Sequence, residues 1–263
     1  MFKTRLISGI LLVIVALLTI CSGDIILLAT LLGVSVIGMQ ELYKVMGVRQ
    51  DKFNLLELTG YFGIALYYVL MYFGVDIGGE LVILASLLLF MCVYVFTYPK
   101  YEAKQIMSAL FGLIYVGVML SFVYQTRMIE NDGHILVWLI FICSWGCDTC
   151  AYCVGMLIGK HKMAPVLSPK KSIEGAVGGV IGAALLGVAY AAIFDANVLA
   201  YAIICAVGAL ISMVGDLAAS AIKRNQNIKD YGTLIPGHGG ILDRFDSVIF
   251  TAPIIYFLST VLI

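Results

Sequence analysis

Runs of 17 or more apolar residues recur along the whole chain, and no other feature constrains its fold so tightly. As a helix, a run of that length crosses a hydrocarbon core ~30 Å thick. It also pairs its own backbone N–H and C=O groups, which lipid cannot do. A membrane barrel would instead read as ~10-residue alternating segments, and none occurs. Of the 263 residues, 62% are hydrophobic and 12% charged, against about half and a quarter in a soluble domain. The expectation is an all-α polytopic membrane protein. Nine hydrophobic segments are placed at 5–21, 25–40, 54–74, 80–98, 106–124, 134–157, 173–193, 197–217 and 247–263.

The connectors sort by charge. With the N-terminus inside, one side of the membrane receives Lys3, Arg5, Lys44, Arg49, Lys52, Lys100, Lys104, Lys160, Lys162, Lys170, Lys171, Lys223, Arg224, Lys229 and Arg244, which is 15 of the 16 basic residues. The other side receives Arg127 with Asp24, Asp76, Glu80, Glu130, Asp132 and Asp195. Cytoplasmic loops carry the excess of Lys and Arg. The N-terminus is therefore expected in the cytoplasm and, after nine spans, the C-terminus outside. One span more or fewer would flip every later loop and scramble the bias. The first segment follows Lys3 and Arg5 as a signal peptide would, but it is long for one and no A-x-A-like site follows it. It is read as a retained span. Net charge is zero, and no nucleic-acid partner is expected.

External connectors are short, whereas two cytoplasmic ones, 159–174 and 218–246, are long and rich in Gly, Pro, Lys and His. Connections beyond ~12–15 residues in a compact protein are commonly functional. The chain accordingly divides into N-terminal scaffold helices, 1–130, and a C-terminal region, 131–263, whose chemistry lies on those two loops.

The stretch "CSWGCDTCAYC", Cys143 to Cys153, surrounds Asp148 with four cysteines. Cys147, Cys150 and Cys153 have the spacing of a ferredoxin run. On a membrane helix, however, Cys143, Cys147 and Cys150 stack along one stripe and cannot wrap a cluster. They are read as small hydrophobic packing residues. Asp148 is the opposite case, because a carboxylate near the centre of a span costs ~2.5–3.5 kcal/mol and marks function. Asp216, in "MVGDLAAS", has the same status.

The densest signal is "SAIKRNQNIKDYGTLIPGHGGILDRFDS", Ser220 to Ser247. Asp243 and Asp246, three apart, share a face of a helix and can hold one cation or two adjacent ones. Such hard oxygen ligands suit Mg²⁺, which takes one or two carboxylates plus substrate phosphates. "PGHGG" supplies flexible backbone whose N–H groups can face a phosphate, and Lys223, Arg224 and Lys229 add positive charge. A second patch, "GKHKMAPVLSPKKSIEGAVGG", follows the third cytoplasmic-facing helix end. There Lys170, Lys171 and Ser172 precede an expected helix start with Glu174 in its first turn, a setting suited to an anion. Its opening "GMLIGKH" fails as a Walker A motif in glycine spacing and in having His161 where Ser or Thr binds Mg²⁺. Glu41, at the cytoplasmic end of the second span, is read first as a snorkelling interfacial carboxylate and second as a member of the polar cluster. His134 is read as an external loop residue.

Ser220, Lys223, Arg224, Lys229, Asp230, His238, Gly239, Gly240, Asp243, Arg244 and Asp246 together resemble the signature of the phosphatidate cytidylyltransferases, or CDP-diacylglycerol synthases. "DTCAYCVG" resembles that family's D-T-x-A-Y-x-x-G, and "SPKKSIEGAVGG" its S-P-K-K-T-x-E-G-x-x-G-G. The resemblance is close over the C-terminal half and extends to the N-terminal half in its hydrophobic pattern. The sequence departs at Met156, where the family often has Arg, and at Ala219, where it often has Glu. These put one phosphate contact and one extra carboxylate in question.

The resemblance implies transfer of CMP from CTP to phosphatidic acid in phospholipid biosynthesis, with CDP-diacylglycerol and pyrophosphate as products. It implies Mg²⁺ as cofactor, with a second cation as an open alternative, held by Asp216, Asp243 and Asp246 and supported by Asp148. Asp243, Asp246, His238, Lys223 and Arg224 become the catalytic set. Ser168, Lys170, Lys171, Ser172, Glu174, Lys229, Gly239, Gly240 and Arg244 become substrate-binding. A homodimer in a bacterial inner membrane, with its site facing the cytoplasm, is implied as well, the N-terminal helices giving lipid access and dimer contacts. The competing class is an ion-coupled transporter, whose sites lie near the midplane between repeats; no repeat is visible. A CDP-alcohol phosphotransferase would need a D-G-x-x-A-R motif, which is absent.

Overall fold

The computed structural model describes residues 2–49, 54–75, 78–237 and 239–263, without the side chains of residues 2–7. Helices dominate: α1 (Phe2–Ser22), α2 (Asp24–Val45), α3 (Leu55–Tyr72), α4 (Gly78–Phe96), α5 (Ala103–Arg127), α6 (Gly133–Ile158), α7 (Ile173–Ile193), α8 (Val198–Asn225) and α9 (Leu242–Leu262). Among the described residues, α2 to α9 are long and apolar enough to cross a membrane, eight in all, and the stretch Ser8–Ser22 of α1 is apolar but shorter. Lys52, Asp76 and His238, singled out above, lie outside the described residues.

Three features depart from the sequence reading. The connector 159–174 folds in part into an antiparallel hairpin, β1 (Lys162–Ala164) with β2 (Ser168–Ser172). Pro165 sits in its turn, a position that needs no backbone N–H donor. The segment 218–246 is part helix and part loop, since α8 runs on to Asn225 and α9 begins at Leu242, with 226–241 between them. Hydropathy ends a span where polar residues start, but hydrogen bonding carries the helix beyond the lipid. Thirdly, α5 and α6 each contain a π-helical stretch, Leu113–Val118 and Ile142–Gly146. Single wider turns of this kind occur frequently at functional sites, and Asp148 lies two residues past the end of the second one.

The chain forms two compact units, Met1–Tyr124 with Asp230–Arg244, and Gln125–Lys229 with Phe245–Ile263. In the first, Tyr43 is fully buried; its hydroxyl donates to the Ala109 carbonyl at 2.8 Å, and its ring fills room left by Gly60 and Gly112. Asn54 caps α3 by accepting from the Glu57 N–H at 3.0 Å, and buried Glu57 pairs with Arg49 at 2.8 Å.

The second unit is built on small residues. Cβ atoms placed on Gly178, Gly179 and Gly182 of α7 would run into Val154, Ala151 and Cys150 of α6 at 2.6–2.9 Å. Gly208 of α8 likewise meets Cys143, and Gly187 of α7 meets Cys205. Membrane helices gain little from the hydrophobic effect and associate through close van der Waals packing, which small residues permit. Cys143, Cys147 and Cys205 are buried, and the Sγ of Cys143 and Cys147 face the Ile204 and Ala209 carbonyls at 4.0 and 3.9 Å. These thiols fill the space that the facing glycines leave, so the buried cysteines act as packing elements. Pairing of Gly208 with Ile255 and Gly215 with Phe250 sets α8 against the part of α9 in this unit, running antiparallel.

Candidate active site

In the first unit the connector 230–241 wraps around two buried carboxylates. Asp243, in the first turn of α9, accepts through Oδ2 from the N–H of Tyr231 at 2.8 Å and of Gly240 at 3.0 Å. Glu41 of α2 accepts from the N–H of Ile241 at 3.0 Å and of Leu242 at 2.9 Å. The opening N–H groups of a helix have no intrahelical acceptor and carry partial positive charge, so carboxylates stabilise them. Three successive amides, 240 to 242, are thereby satisfied by two acids. Glycine makes this approach possible. A Cβ on Gly232 would stand 2.5 Å from Glu41 Oε1, one on Gly239 2.8 Å from Asp243 Oδ2, and one on Gly240 would collide with both Glu41 oxygens. Gly239 also has φ 86°, a left-handed conformation. The Ile235 N–H donates to the Gly239 carbonyl at 2.8 Å, and the Ser8 hydroxyl donates to the Pro236 carbonyl at 3.1 Å. Arg244 Nε is buried with no acceptor among the described residues.

The second unit holds two carboxylate–lysine pairs. Lys171, on β2, pairs with Asp216, on α8. Lys223, buried on the same helix, lies 3.9 Å from Asp246 Oδ2. Asp216 and Lys223 are seven residues apart and share a face of α8, two turns or ~10 Å along its axis. Asp246 also accepts from the Ser247 N–H at 2.8 Å. Arg224 is exposed and donates to the Ile228 carbonyl at 2.9 Å. Lys170, Lys229 and Asp148 are exposed, and Ser168 is half-buried in β2.

Ser172 and Glu174 have visible structural duties. Ser172 is the N-cap of α7, its hydroxyl accepting from the Gly175 N–H at 3.1 Å. Glu174 accepts from the N–H groups of Lys160 and His161 at 3.1 and 3.2 Å and meets His161 Nδ1 at 2.6 Å. It ties the end of α6 to the start of α7. Glu41 does not snorkel, as its first reading has it, but is buried as its second reading has it, with partners 200 and 201 residues away that no local pattern announces.

Helices α2 to α9 are long and apolar enough to cross a membrane, and acids and lysines are paired on or beside them. The Cytidylyltransferase family model matches residues 3–262, and the chain belongs to that family. Among its relatives is the phosphatidate cytidylyltransferase of Bacillus subtilis strain 168, 29% identical over 266 residues and 97% of each chain. The phosphatidate cytidylyltransferases of Staphylococcus saprophyticus and of Staphylococcus aureus strain COL are 39% and 40% identical over 151 residues, 57% of each chain. The chain is thus an enzyme of the nucleotidyltransferase class, and the transporter reading has no support.

Proposed function

We propose that the protein transfers CMP from CTP to phosphatidic acid, forming CDP-diacylglycerol and pyrophosphate. The observation that carries this is the family match over residues 3–262, joined to a sequence whose acids and lysines fall on polar helix ends. A phosphate oxygen of phosphatidic acid attacks the α-phosphorus of CTP. The bond from that phosphorus to the bridging oxygen of the β-phosphate breaks, and pyrophosphate leaves with the electron pair. A phosphate monoester is already largely dianionic near neutral pH, so the nucleophile needs placement and charge neutralisation more than a general base.

Lys170, Lys171, Lys223, Arg224, Lys229 and Arg244 neutralise phosphate charge in this reading, with Ser168 and the Gly239–Gly240 backbone beside them. His238 orients a phosphate oxygen. Ser172 and Glu174 serve through the fold of the Lys170–Lys171 strand. Asp216, Asp243 and Asp246 would hold Mg²⁺, with Asp148 in support, and in the same reading a second cation. The donor set is carboxylate oxygen throughout, the class Mg²⁺ prefers. When bound, the cation would lower repulsion between the anionic substrates and stabilise the departing pyrophosphate.

The wider proposal has nine spans, N-terminus in the cytoplasm and C-terminus outside, in a bacterial inner membrane, with the catalytic end facing cytosolic CTP and the chains paired as a homodimer. The distribution of 15 of 16 basic residues supports the orientation, while the pairing and the inner membrane rest on the family resemblance.

The test is transfer of label from CTP labelled at the α-phosphate into phosphatidic acid, using purified protein in detergent–lipid micelles with Mg²⁺. Wild type labels the lipid, and folded Asp243→Asn does so about 10²–10³-fold more slowly, the loss typical of removing one preorganised electrostatic group. Folded wild type without transfer across several cations and lipids refutes the function.

A further inference from the structure

We infer that Glu41 is a positioning residue for Asp243, holding from another helix the backbone on which that aspartate is mounted. The inference rests on the cytidylyl-transfer reading in one respect, that Asp243 serves the reaction.

Glu41 is itself buried on α2, with its carboxylate against Gly232 and Gly240. A carboxylate in such surroundings is costly unless its oxygens are matched by donors. Here both are matched, one by the Ile241 N–H and the other by the Leu242 N–H. Those amides lie one and two residues before Asp243. The next amide back, Gly240, is given to Asp243 itself. Glu41 and Asp243 therefore interlock through one strip of backbone, and the strip cannot rotate without breaking bonds to both.

An ordinary helix start would be capped by a Ser, Thr, Asp or Asn of its own connector. Such a cap fixes the helix end locally and ties it to nothing else. Glu41 instead fastens the start of α9 to α2, while Gly232 and Gly240 leave the space its carboxylate needs. What this arrangement adds over local capping is a fixed direction for the Asp243 side chain. Groups that orient a reactive carboxylate from behind typically carry 10–100-fold in activity or metal affinity.

The test uses the full chain in detergent–lipid micelles. Glu41→Gln keeps the shape but sets an NH₂ group against one of the two N–H donors. We expect kcat to fall about 10–100-fold, the Mg²⁺ concentration for half-maximal rate to rise, and KM for CTP to change little. Hydrogen exchange followed by mass spectrometry should show faster exchange in peptides covering 239–242, with the helices elsewhere unchanged. Should Glu41→Gln not purify folded, Glu41→Asp replaces it: the charge is kept but drawn back by one methylene, with the same expected directions. A folded variant with wild-type kcat and Mg²⁺ dependence, or with unaltered exchange at 239–242, overturns the inference. The exchange readout needs no turnover. If wild type fails to transfer CMP while exchange responds as expected, the catalytic reading has failed and the anchoring by Glu41 has not.

Discussion

Replacing Gly179 by alanine tests whether α6 and α7 owe their close approach to missing side chains. The new Cβ would stand 2.9 Å from the Ala151 Cβ, 3.0 Å from Cys147 Sγ and 3.1 Å from the Cys147 carbonyl oxygen. Two of those atoms are fixed to the α6 backbone, so the strain is relieved only by moving a helix. In a helix interior Ala is favoured over Gly by about 1 kcal/mol. Overpacking typically costs about 1–3 kcal/mol, and rigid contacts put this site in the upper half of that range. The net effect is a loss of about 1–2 kcal/mol, or a Tm lower by roughly 2–8 °C for a chain of this size. Gly33→Ala is the matched control. Nothing lies within 4 Å of its new Cβ, so the propensity gain stands alone and Tm rises by about 2–4 °C. A thiol-reactive fluorophore reports both, because buried Cys143, Cys147 and Cys205 become reactive on unfolding. A Gly179→Ala protein as stable as wild type, beside a Gly33→Ala protein showing its gain, would refute the packing argument.

Three further outcomes are expected. Ser172→Ala removes the α7 cap and costs about 1 kcal/mol of stability, whereas Ser172→Asn retains most of it; thermal scans distinguish the two. Lys223→Gln withdraws the cation beside Asp246 and slows label transfer about 10²–10³-fold in a folded protein, while wild-type activity in that variant would remove Lys223 from the machinery. Cys150→Ser and Cys153→Ser leave transfer unchanged and iron chelators have no effect; inhibition by chelation in a Mg²⁺-saturated assay would reopen the metal–sulfur reading.

Much of the molecule was legible before its structure, for reasons that differ from residue to residue. Long apolar runs report spans because lipid offers no hydrogen bonds, so the helices α2 to α9 fall where hydropathy puts them. The cysteine run was legible as packing because helix periodicity alone separates its thiols. The roles of Ser172 and Glu174 were half legible: their motif marked a helix start, but its neighbours Lys170 and Lys171 drew attention to anions, while the structure uses the hydroxyl as a cap and the carboxylate as a tie to Lys160 and His161. The "PGHGG" glycines were read as flexibility. Their visible use is close approach, with the Gly240 N–H donated to Asp243.

The sequence by itself determined the class of solvent this chain needs, the number and order of its apolar helices to within α1, and the chemical types brought to the helix ends. All of these follow from local composition and period, which each segment carries alone. Tertiary structure alone decided that α7 presses its glycines on α6, that Lys171 meets Asp216 across 45 residues, and that Glu41 meets Ile241 across 200. Contacts of that separation depend on how finished helices pack, and the energy that selects one packing resides in pairs of surfaces rather than in any one stretch of chain.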